Sequence, residues 1–360
     1  MRILFTSYQK GFAGSAYSTV YLALGLKERG HDIFVAGVEG SIIAEKVSEK
    51  GIPFTVLTKG FKYWDRNSIR IINDLIIEER IEIVNAQSSR DRYVLAAIKL
   101  FYNKGFTLIH TRRQRANSKG LFIQNFIYNR TANYMVAVSE GVKKSMTKIG
   151  LDSRKITVIY NGTPKERYNG VNAESVDKLR HKYQLGDKQV IGCVARKKLQ
   201  IDLLRALQYL PSNLVVVFVG LSRQNLSKEL SETMPTQDLI FTGGLSSTEV
   251  LHHYPLFDVK VLPSQIEGLS QSLLEAMAMG APVVATAAAG NIDLVSNSEN
   301  GFLYEKGNDT HLAEMILKVL AMRSEEKERL IAAGKKTALE DFSIERTVSA
   351  YEKFFLDILQ

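Results

Sequence analysis

The sequence predicts an α/β protein of two Rossmann-like, doubly wound domains, with parallel sheets that face each other across a cleft. Three observations predict this class. Short apolar strands alternate with helical segments from end to end, which is the pattern of parallel sheets covered by helices on both faces. The length of 360 residues exceeds what one hydrophobic core normally holds. A turn-rich stretch, NGTPKERYNG at 161–170, separates the first series of strands from the second.

The strand candidates are almost entirely apolar, as strands buried on both faces should be. In the first half they lie at 2–7, 32–37, 53–57, 82–86, 107–110, 134–138 and 156–160. In the second half they lie at 189–194, 214–220, 239–242, 259–262 and 282–285. Helical periodicity marks, among others, 18–29, 68–80, 199–209, 310–322 and 344–359.

These elements predict an N-terminal domain at 1–165, a C-terminal domain at 170–343 and a C-terminal helix within 344–360. The last helix could pack on either domain. Doubly wound sheets bind ligands outside the carboxyl ends of their strands. Site residues are therefore expected in the loops that follow strands.

Composition restricts the cellular setting. The one cysteine, Cys193, excludes an internal disulfide and fits a reducing compartment. The N-terminal segment MRILFTSYQKGF lacks the apolar run of a signal peptide, and no stretch approaches the roughly 18 apolar residues of a membrane span. We expect a cytoplasmic protein that could also associate peripherally with the inner face of the cytoplasmic membrane.

The charge is divided unevenly between the two halves. Residues 1–165 carry 26 Lys and Arg against 13 Asp and Glu, whereas residues 166–360 carry 21 against 25. A strongly basic half favours anionic partners such as an acidic lipid surface or a phosphorylated acceptor. Nucleic acid is not expected, because no aromatic residues are interleaved with the basic cluster and no recognition helix is present. The alternative is a solvated basic surface that serves solubility.

The segment PSQIEGLSQSLLEAMAMGAPVVAT at 263–286 has the strongest chemical pattern. A strand ends at Leu262, and a turn containing Glu267 and Gly268 precedes a helix that runs to about Met279. Amides at a helix start bind phosphate oxygens, and glycine allows close approach. Glu275 is surrounded by apolar residues, so its carboxylate needs polar partners, which vicinal ribose hydroxyls would supply.

This segment resembles the retaining glycosyltransferases of family 4, which have the GT-B fold. The resemblance extends along the chain in order. Its other segments are GFAGSAYSTVYLALGLKERGHDIFVAG (11–37), IEIVNAQSS (81–89), YMVAVSEGVKKSM (134–146), ITVIYNGTP (156–164), VVFVG (216–220), IFTGGL (240–245), NGFLY (300–304) and EDFSIERTVSAYEKFF (340–355).

The resemblance implies roles for matching positions. Glu275 is similar to the carboxylate that holds the nucleotide ribose, and Glu267 to the residue that contacts the donor sugar near the reacting carbon. Gly14 corresponds to a glycine of the N-terminal loop that lets the backbone approach the donor phosphate. The amides of Gly268, Leu269 and Ser270 would face the sugar and the diphosphate.

The family also has an arginine and a lysine that neutralise the leaving diphosphate. Arg196, after the strand at 189–194, matches the arginine. The loop VARKKLQID at 194–202 is shorter than the family's, so either Lys197 or Lys198 would supply the lysine; Lys198 is the preferred catalytic candidate and Lys197 is kept as a donor-binding one. A solvated basic turn is the alternative interpretation.

A further donor contact is expected after the strand at 107–110. Many relatives place a histidine there, and the spacing assigns that position to Arg113, while His110 is read as a hydrogen-bonded residue of the strand. Arg113 would belong to a basic cluster at the cleft edge together with Arg112, Arg115 and Lys119. Asn161 and Gly162 are interpreted as the turn at the hinge.

The resemblance implies transfer of a hexose-type sugar, with retention, from a nucleotide-diphosphate sugar to a glycan, lipid-linked or phosphorylated acceptor, in lipopolysaccharide or other surface polysaccharide biosynthesis. No cofactor is expected. The sequence has no Asp-x-Asp, so no metal site is expected either. The alternatives are another GT-B enzyme such as a nucleotide-sugar epimerase, a basic nucleic-acid-binding protein, and an oxidoreductase. The last would need the Gly-x-Gly-x-x-Gly spacing that the first loop lacks.

Overall fold

A computed structural model describes residues 1–9, 14–57, 65–114, 122–265, 267–288 and 290–360. The chain divides into two compact units. Unit 1 comprises Met1–Pro164 and Ser343–Gln360, and unit 2 comprises Lys165–Phe342. Each unit contains a parallel sheet with helices on both faces, so the predicted α/β class of two Rossmann-like domains is confirmed.

Unit 1 contains a seven-stranded parallel sheet in the order β3-β2-β1-β4-β5-β6-β7. The strands are β1 (Arg2–Ser7), β2 (Asp32–Gly37), β3 (Phe54–Val56), β4 (Ile83–Ala86), β5 (Thr107–Arg112), β6 (Tyr134–Ala137) and β7 (Ile156–Val158). The helices are α1 (Gly14–Glu28), α2 (Ile42–Glu49), α3 (Arg66–Glu78), α4 (Ser89–Phe101), α5 (Phe122–Thr131) and α6 (Glu140–Lys148).

Unit 2 contains a six-stranded parallel sheet in the order β10-β9-β8-β11-β12-β13. Its strands are β8 (Val190–Val194), β9 (Val215–Val219), β10 (Asp238–Phe241), β11 (Val259–Leu262), β12 (Val283–Thr286) and β13 (Phe302–Tyr304). Its helices are α7 (Ala173–Lys182), α8 (Gln200–Ala206), α9 (Ser227–Thr233), α10 (Ser247–Leu251), α11 (Gln271–Ala278), α12 (Asp309–Leu320) and α13 (Ser324–Lys336).

Strand periodicity gives each unit a core on both faces of its sheet. In unit 1, Ile3 and Phe5 of β1 enter one hydrophobic cluster and Leu4 enters the other. In unit 2, Val190 of β8 enters one cluster and Ile191 the other. Successive side chains of a strand point to opposite faces, so a strand buried on both sides must be apolar throughout.

The last helix, α14 (Ile344–Leu359), belongs to unit 1. It crosses α1 where Gly25 has no side chain; a Cβ there would lie 2.4 Å from Val348 Cγ2. At one edge of the contact Arg29 forms an ion pair with Glu352 at 2.5 Å. Near the start of α14, outside its contact with α1, the Gly162 amide donates to Thr347 Oγ1 at 2.7 Å. The helix therefore returns the chain to the first unit.

Three elements differ from the sequence predictions by more than a shift of one or two residues at an end. The strand Phe302–Tyr304 was not predicted as a strand, because three residues carry little periodicity. The predicted helix at 199–209 is α8 followed by a 3₁₀ turn at Leu207–Tyr209. The helix predicted from residue 18 begins at Gly14. Within the described ranges, no helix combines the length and the apolar content that crossing a membrane requires.

Candidate functional site

The candidate site of unit 2 lies where the strand order of its sheet reverses. Strands β8 and β11 are neighbours at this point, and each is followed by a loop that bears predicted site residues. The loop after β8 carries Arg196, Lys197 and Lys198, and the loop after β11 carries residues 267–270. In open parallel sheets this crevice is where ligands bind.

Lys198 and Glu267 form an ion pair between these two loops. Lys198 Nζ donates to Glu267 Oε1, although the residues are 69 positions apart in the sequence. The Lys198 side chain is 32% exposed and that of Glu267 is 13% exposed, so the pair opens to solvent on the lysine's side. The structure thus brings together two of the three predicted catalytic residues.

The other two cations of the loop after β8, Arg196 and Lys197, form no ion pair with Glu267 in the described part of the chain. Lys197 forms an ion pair with Glu229 of α9 at 2.8 Å, so it points away from Glu267. Arg196 is exposed, and within the described part of the chain its guanidinium forms no ion pair or hydrogen bond. Arg196 therefore remains available for an anionic ligand.

Gln200 holds the basic loop in place. Its side chain is buried and accepts from the Lys198 amide at 2.6 Å, while its Nε2 donates to the Arg196 carbonyl at 2.8 Å. The loop is thus fixed at both ends by one amide side chain. Gln200 was not predicted as a site residue, since a glutamine at a helix start carries no distinctive signal in the sequence.

The loop after β11 brings backbone amides to the start of α11. Ser270 is the N-cap residue of this helix and is buried. The preceding Gly268 packs against Gly290, which has φ +89°; a Cβ at Gly290 would lie 2.3 Å from the Gly268 carbonyl oxygen. Only glycine fits there. The first-turn amides of α11 and the positive end of its dipole suit an anion.

Glu275 of α11 is 6% exposed, as the apolar surround predicted. Its two carboxylate oxygens are satisfied within unit 2. Arg167 Nη2 donates to Oε1 at 2.6 Å, and the Tyr254 hydroxyl donates to Oε2 at 2.8 Å. Burial, and then the Glu275 carboxylate, hold the pKa of Tyr254 well above its usual value. Neither partner was predicted from the sequence, and Arg167 lies in the turn-rich stretch at 161–170.

The candidate residue of unit 1, Arg113, directly follows β5. Its guanidinium donates to Asn161 Oδ1 at 2.9 Å, to Gln87 Oε1 at 2.6 Å and to Thr19 Oγ1 at 3.2 Å. These acceptors are all neutral, and within the described residues no carboxylate pairs with Arg113. Burial lowers the pKa of this guanidinium below its usual value.

His110 lies inside β5, 2% exposed, with its ring edge-to-face against Tyr128 at 5.3 Å. Burial, and then the charges of Arg92 and Arg112, hold its pKa well below 6.5. The imidazole is therefore neutral at physiological pH. His110 lies in the strand as predicted, but its buried Nε2 has no hydrogen-bond partner among the described residues, so the predicted hydrogen bonding is not confirmed for this atom. Gly14 is the first residue of α1. Arg115 and Lys119 lie outside the described residues.

Two family models match consecutive parts of the sequence. The model described as Glycosyltransferase Family 4 matches residues 12–167, and the one described as Glycosyl transferases group 1 matches residues 175–337. The chain belongs to glycosyltransferase family 4. The second match contains the Lys198–Glu267 pair and Glu275, and the first contains Gly14 and Arg113.

The curated relatives of this family 4 chain include one enzyme of capsular polysaccharide biosynthesis and one phosphatidylinositol monomannoside mannosyltransferase. The capsular polysaccharide biosynthesis glycosyltransferase CapM of Staphylococcus aureus is 30% identical over 220 residues, which are 56% of this chain and 55% of CapM. A GDP-mannose-dependent phosphatidylinositol monomannoside mannosyltransferase of Mycobacterium tuberculosis is 28% identical over 43% of each chain. The matches therefore span about half the length of these relatives.

Solved structures share the fold over the whole length. Anabaena HepE, solved in complex with UDP-glucose, superposes with a TM-score of 0.84 at 20% identity and covers 99% of this chain and 100% of its own. A glycosyltransferase from Rickettsia africae reaches 0.85 at 19% identity and covers 100% and 98%. The fold of this family 4 chain is accordingly GT-B, as the resemblance implied.

Proposed function

We propose that this chain is a retaining, metal-independent glycosyltransferase that moves a hexose-type sugar from a nucleotide-diphosphate sugar to a glycan or lipid-linked acceptor, in lipopolysaccharide or other surface polysaccharide biosynthesis. The observation that carries the proposal is the Lys198–Glu267 ion pair at the start of α11. Glu267 would orient the transferred sugar, and Lys198 would stand beside the bond that breaks. Glu275, further along the same helix, would contact the ribose.

The proposed mechanism neutralises the leaving diphosphate without a metal ion. As the sugar–oxygen bond breaks, negative charge grows on the diphosphate. Arg196 is exposed and Lys198 opens to solvent, and the amides of Gly268, Leu269 and Ser270 lie at the positive end of α11. Such preorganised donors stabilise a leaving group as the charge develops. The acceptor would attack on the side from which the diphosphate leaves, giving retention, and the leaving phosphate would take the acceptor's proton.

The donor class is proposed from the relatives' own donors. HepE is solved with UDP-glucose, and the mycobacterial relative depends on GDP-mannose. Both are nucleoside diphosphate hexoses. Gly14 and Arg113 of unit 1, together with Lys197, remain predictions as donor-binding residues. The three neutral acceptors of Arg113 leave its charge uncompensated, which supports an anionic ligand nearby.

The test is nucleoside diphosphate release from UDP-glucose and GDP-mannose, with and without excess chelator. We expect turnover of one donor, unaffected by the chelator, and loss of turnover in Glu267→Gln. The sugar product should keep the anomeric configuration of the donor. Loss of activity in chelator that Mg²⁺ restores would contradict metal independence. Absence of turnover and of donor binding with both nucleotides would contradict the donor assignment.

Contact with an acidic membrane surface is supported by a basic cavity in unit 1. The cavity, of about 660 Å³, lies beside the amino ends of β5 and β6, and its lining includes four basic side chains and no carboxylate. They are Lys99, Lys104, Arg130 and Lys155. Cations around a cavity of this size suit a phosphate-bearing lipid headgroup, each contributing about 1 kcal/mol near an acidic surface.

Exposed apolar side chains adjoin this cavity at the end of α4. Leu100, which lines it, is followed by Phe101 and Tyr102, which are 67% and 61% exposed. Aromatic rings beside lysines are typical of surfaces that lie in the interfacial region of a bilayer. By contrast, Arg112 and Arg113 are partly buried, so their charges contribute little to this surface. We propose this region of unit 1 as the membrane contact.

Sedimentation with vesicles tests the membrane contact. Wild type should sediment with phosphatidylglycerol vesicles at low salt, and much less at high salt or with phosphatidylcholine vesicles. Phe101→Ser with Tyr102→Ser should weaken this binding. Met234→Ser, which changes a 77% exposed apolar residue of unit 2, is the matched control and should leave it unchanged. Equal sedimentation with acidic and neutral vesicles would refute the proposal.

A further inference from the structure

Lys260 is a fully buried lysine in the middle of β11. The strand sequence is Val-Lys-Val-Leu, and each of its four residues is buried. Lys260 pairs in register with Gly192 of β8, so it lies in the centre of the unit 2 sheet. Its exposure is 0%. A buried ammonium requires compensation, because desolvation of a single charge is costly.

Compensation within the chain is slight. Lys260 Nζ donates to Ser272 Oγ at 3.2 Å, and this is its single hydrogen bond among the described residues. An ammonium has three donors, so two of them have no partner in the described part of the chain when the side chain is charged. Burial lowers the pKa of Lys260 to about 7.

The charged and titratable groups that act on Lys260 lie on β8, on the loop after β8, on the loop after β11 and on α11. Cys193 of β8, Glu267 of the loop and Glu275 of α11 favour the charged lysine, and Lys198 opposes it. Glu267 is already paired with Lys198, and Glu275 with Arg167. The buried thiol Cys193 has a pKa raised by burial to about 11, so it is neutral. No uncommitted anion of the described chain therefore faces Lys260.

Ser272 connects this lysine to the candidate donor site. It is the second residue of α11, and its hydroxyl lies 3.4 Å from that of Ser270, the N-cap residue. Lys260, Ser272 and Ser270 thus form a polar path from the centre of the sheet to the turn whose amides are offered to the diphosphate. An anion bound at that turn would supply the charge that the lysine lacks.

We propose that Lys260 is a positioning residue of the donor site, which takes up a proton when the donor's diphosphate binds at the start of α11 and then holds that turn through Ser272. This inference rests on the proposed function. The proton moves from solvent to the lone pair of Nζ, forming one N–H bond, and no bond of the donor breaks. Because the anion favours the ammonium, the pKa of Lys260 must rise on binding, and by linkage donor affinity falls as the pH rises above the free enzyme's value.

Isothermal titration with UDP-glucose and GDP-mannose tests this coupling. The diphosphate of a sugar nucleotide is a diester and has no titrating proton of its own between pH 6 and 8.5. Titrations in buffers of different ionisation enthalpy report the protons taken up. For the donor that binds, wild type should take up close to one proton at pH 8 and clearly fewer at pH 6.

Lys260→Met is the decisive variant, because methionine has a similar length and no charge. It should take up no proton at any pH, and its dissociation constant should not change between pH 6 and 8.5, whereas that of wild type should rise several-fold. Equal proton uptake by wild type and Lys260→Met would overturn the inference. If neither nucleotide binds to wild type, the proposed function and this inference fail together.

Ser272→Ala is the second variant and does not depend on the folding of the first. It keeps the lysine and removes the acceptor that stabilises its charged form. Its proton uptake should therefore begin at a lower pH than that of wild type. An unchanged onset would show that Ser272 does not act on Lys260, and would overturn the positioning role.

Discussion

Arg167 and Glu275, which are 108 positions apart in the sequence, form a largely buried ion pair with Nη2 and Oε1 2.6 Å apart. The arginine lies in the 3₁₀ turn Lys165–Tyr168 at the start of unit 2, and the glutamate lies on α11. One carboxylate thus fixes the first turn of the unit to its proposed donor helix. Removing either partner leaves an uncompensated buried charge, which costs about 3–5 kcal/mol.

Glu275→Ala should therefore lose stability as well as donor affinity. We expect its melting temperature to fall by roughly 6–20 °C, at about 2–4 °C per kcal/mol for a unit of this size. The double variant Arg167→Met/Glu275→Leu should regain much of the stability without regaining donor binding. Thermal melting without donor gives the first comparison. A Glu275→Ala protein as stable as wild type would show that the Arg167–Glu275 ion pair does not stabilise the fold.

Lys198 and Lys197 are adjacent lysines with different partners, which provides a matched comparison. Lys198→Ala removes the cation that contacts Glu267, and we expect turnover to fall by about 10²–10³, the usual effect of losing one donor to a developing anion. Lys197→Ala breaks an ion pair with Glu229, in which the lysine is half exposed. Loss of its predicted donor contact should weaken donor binding, whereas turnover at saturating donor should change by less than about threefold. Steady-state release of nucleoside diphosphate measures both. Equal losses would contradict the assignment of Lys198.

The sequence predicted most of the fold because parallel strands buried on both faces have a distinctive composition. β1, β2 and β11 begin and end where the apolar runs do. The predictions were less accurate for elements whose formation or position depends on tertiary contacts. The three residues of β13 become a strand through pairing with β12, and α14 could be assigned to unit 1 only after its contact with α1 was known.

The candidate site was predicted residue by residue, but its partners were not. Burial of Glu275 follows from its apolar neighbours, whereas the contacts of Arg167 and Tyr254 depend on packing between distant segments. The separation of Lys197 from Lys198 likewise depends on α9, which supplies Glu229. Lys260 did carry a signal, since a lysine interrupts an otherwise apolar strand, although the signal alone does not identify the group that faces it.

Gly162 is a position where the sequence predicts a turn and the packing of the structure requires glycine. The sequence marks Asn161-Gly162 as a turn, and the structure places Gly162 against the backbone of Ser343, where a Cβ would lie 2.0 Å from the carbonyl oxygen. Gly162→Ala should therefore displace α14 and cost about 3 kcal/mol. Gly244→Ala, which places a Cβ in open space, is the control and should have almost no effect. Thermal melting distinguishes them, and equal melting temperatures would refute the contact.

The buried lysine also predicts how stability depends on pH without any ligand. The pKa of Lys260 is lowered to about 7 in the folded protein and lies near 10.4 in the unfolded chain. Between these values the unfolded state binds the extra proton, so the lysine's contribution to stability rises with pH, by up to about 1.4 kcal/mol per unit. Below pH 7 both states are protonated and the full cost of the buried charge remains.

Lys260→Met lacks this cost at every pH. Its melting temperature should therefore exceed that of wild type most clearly at pH 6, and the difference should shrink steadily towards pH 9. A difference that is constant over this range would mean that Lys260 keeps the same protonation state in the folded and unfolded chains. The proposed proton uptake would then lose its physical basis, because the free enzyme would already hold the proton that donor binding is expected to bring.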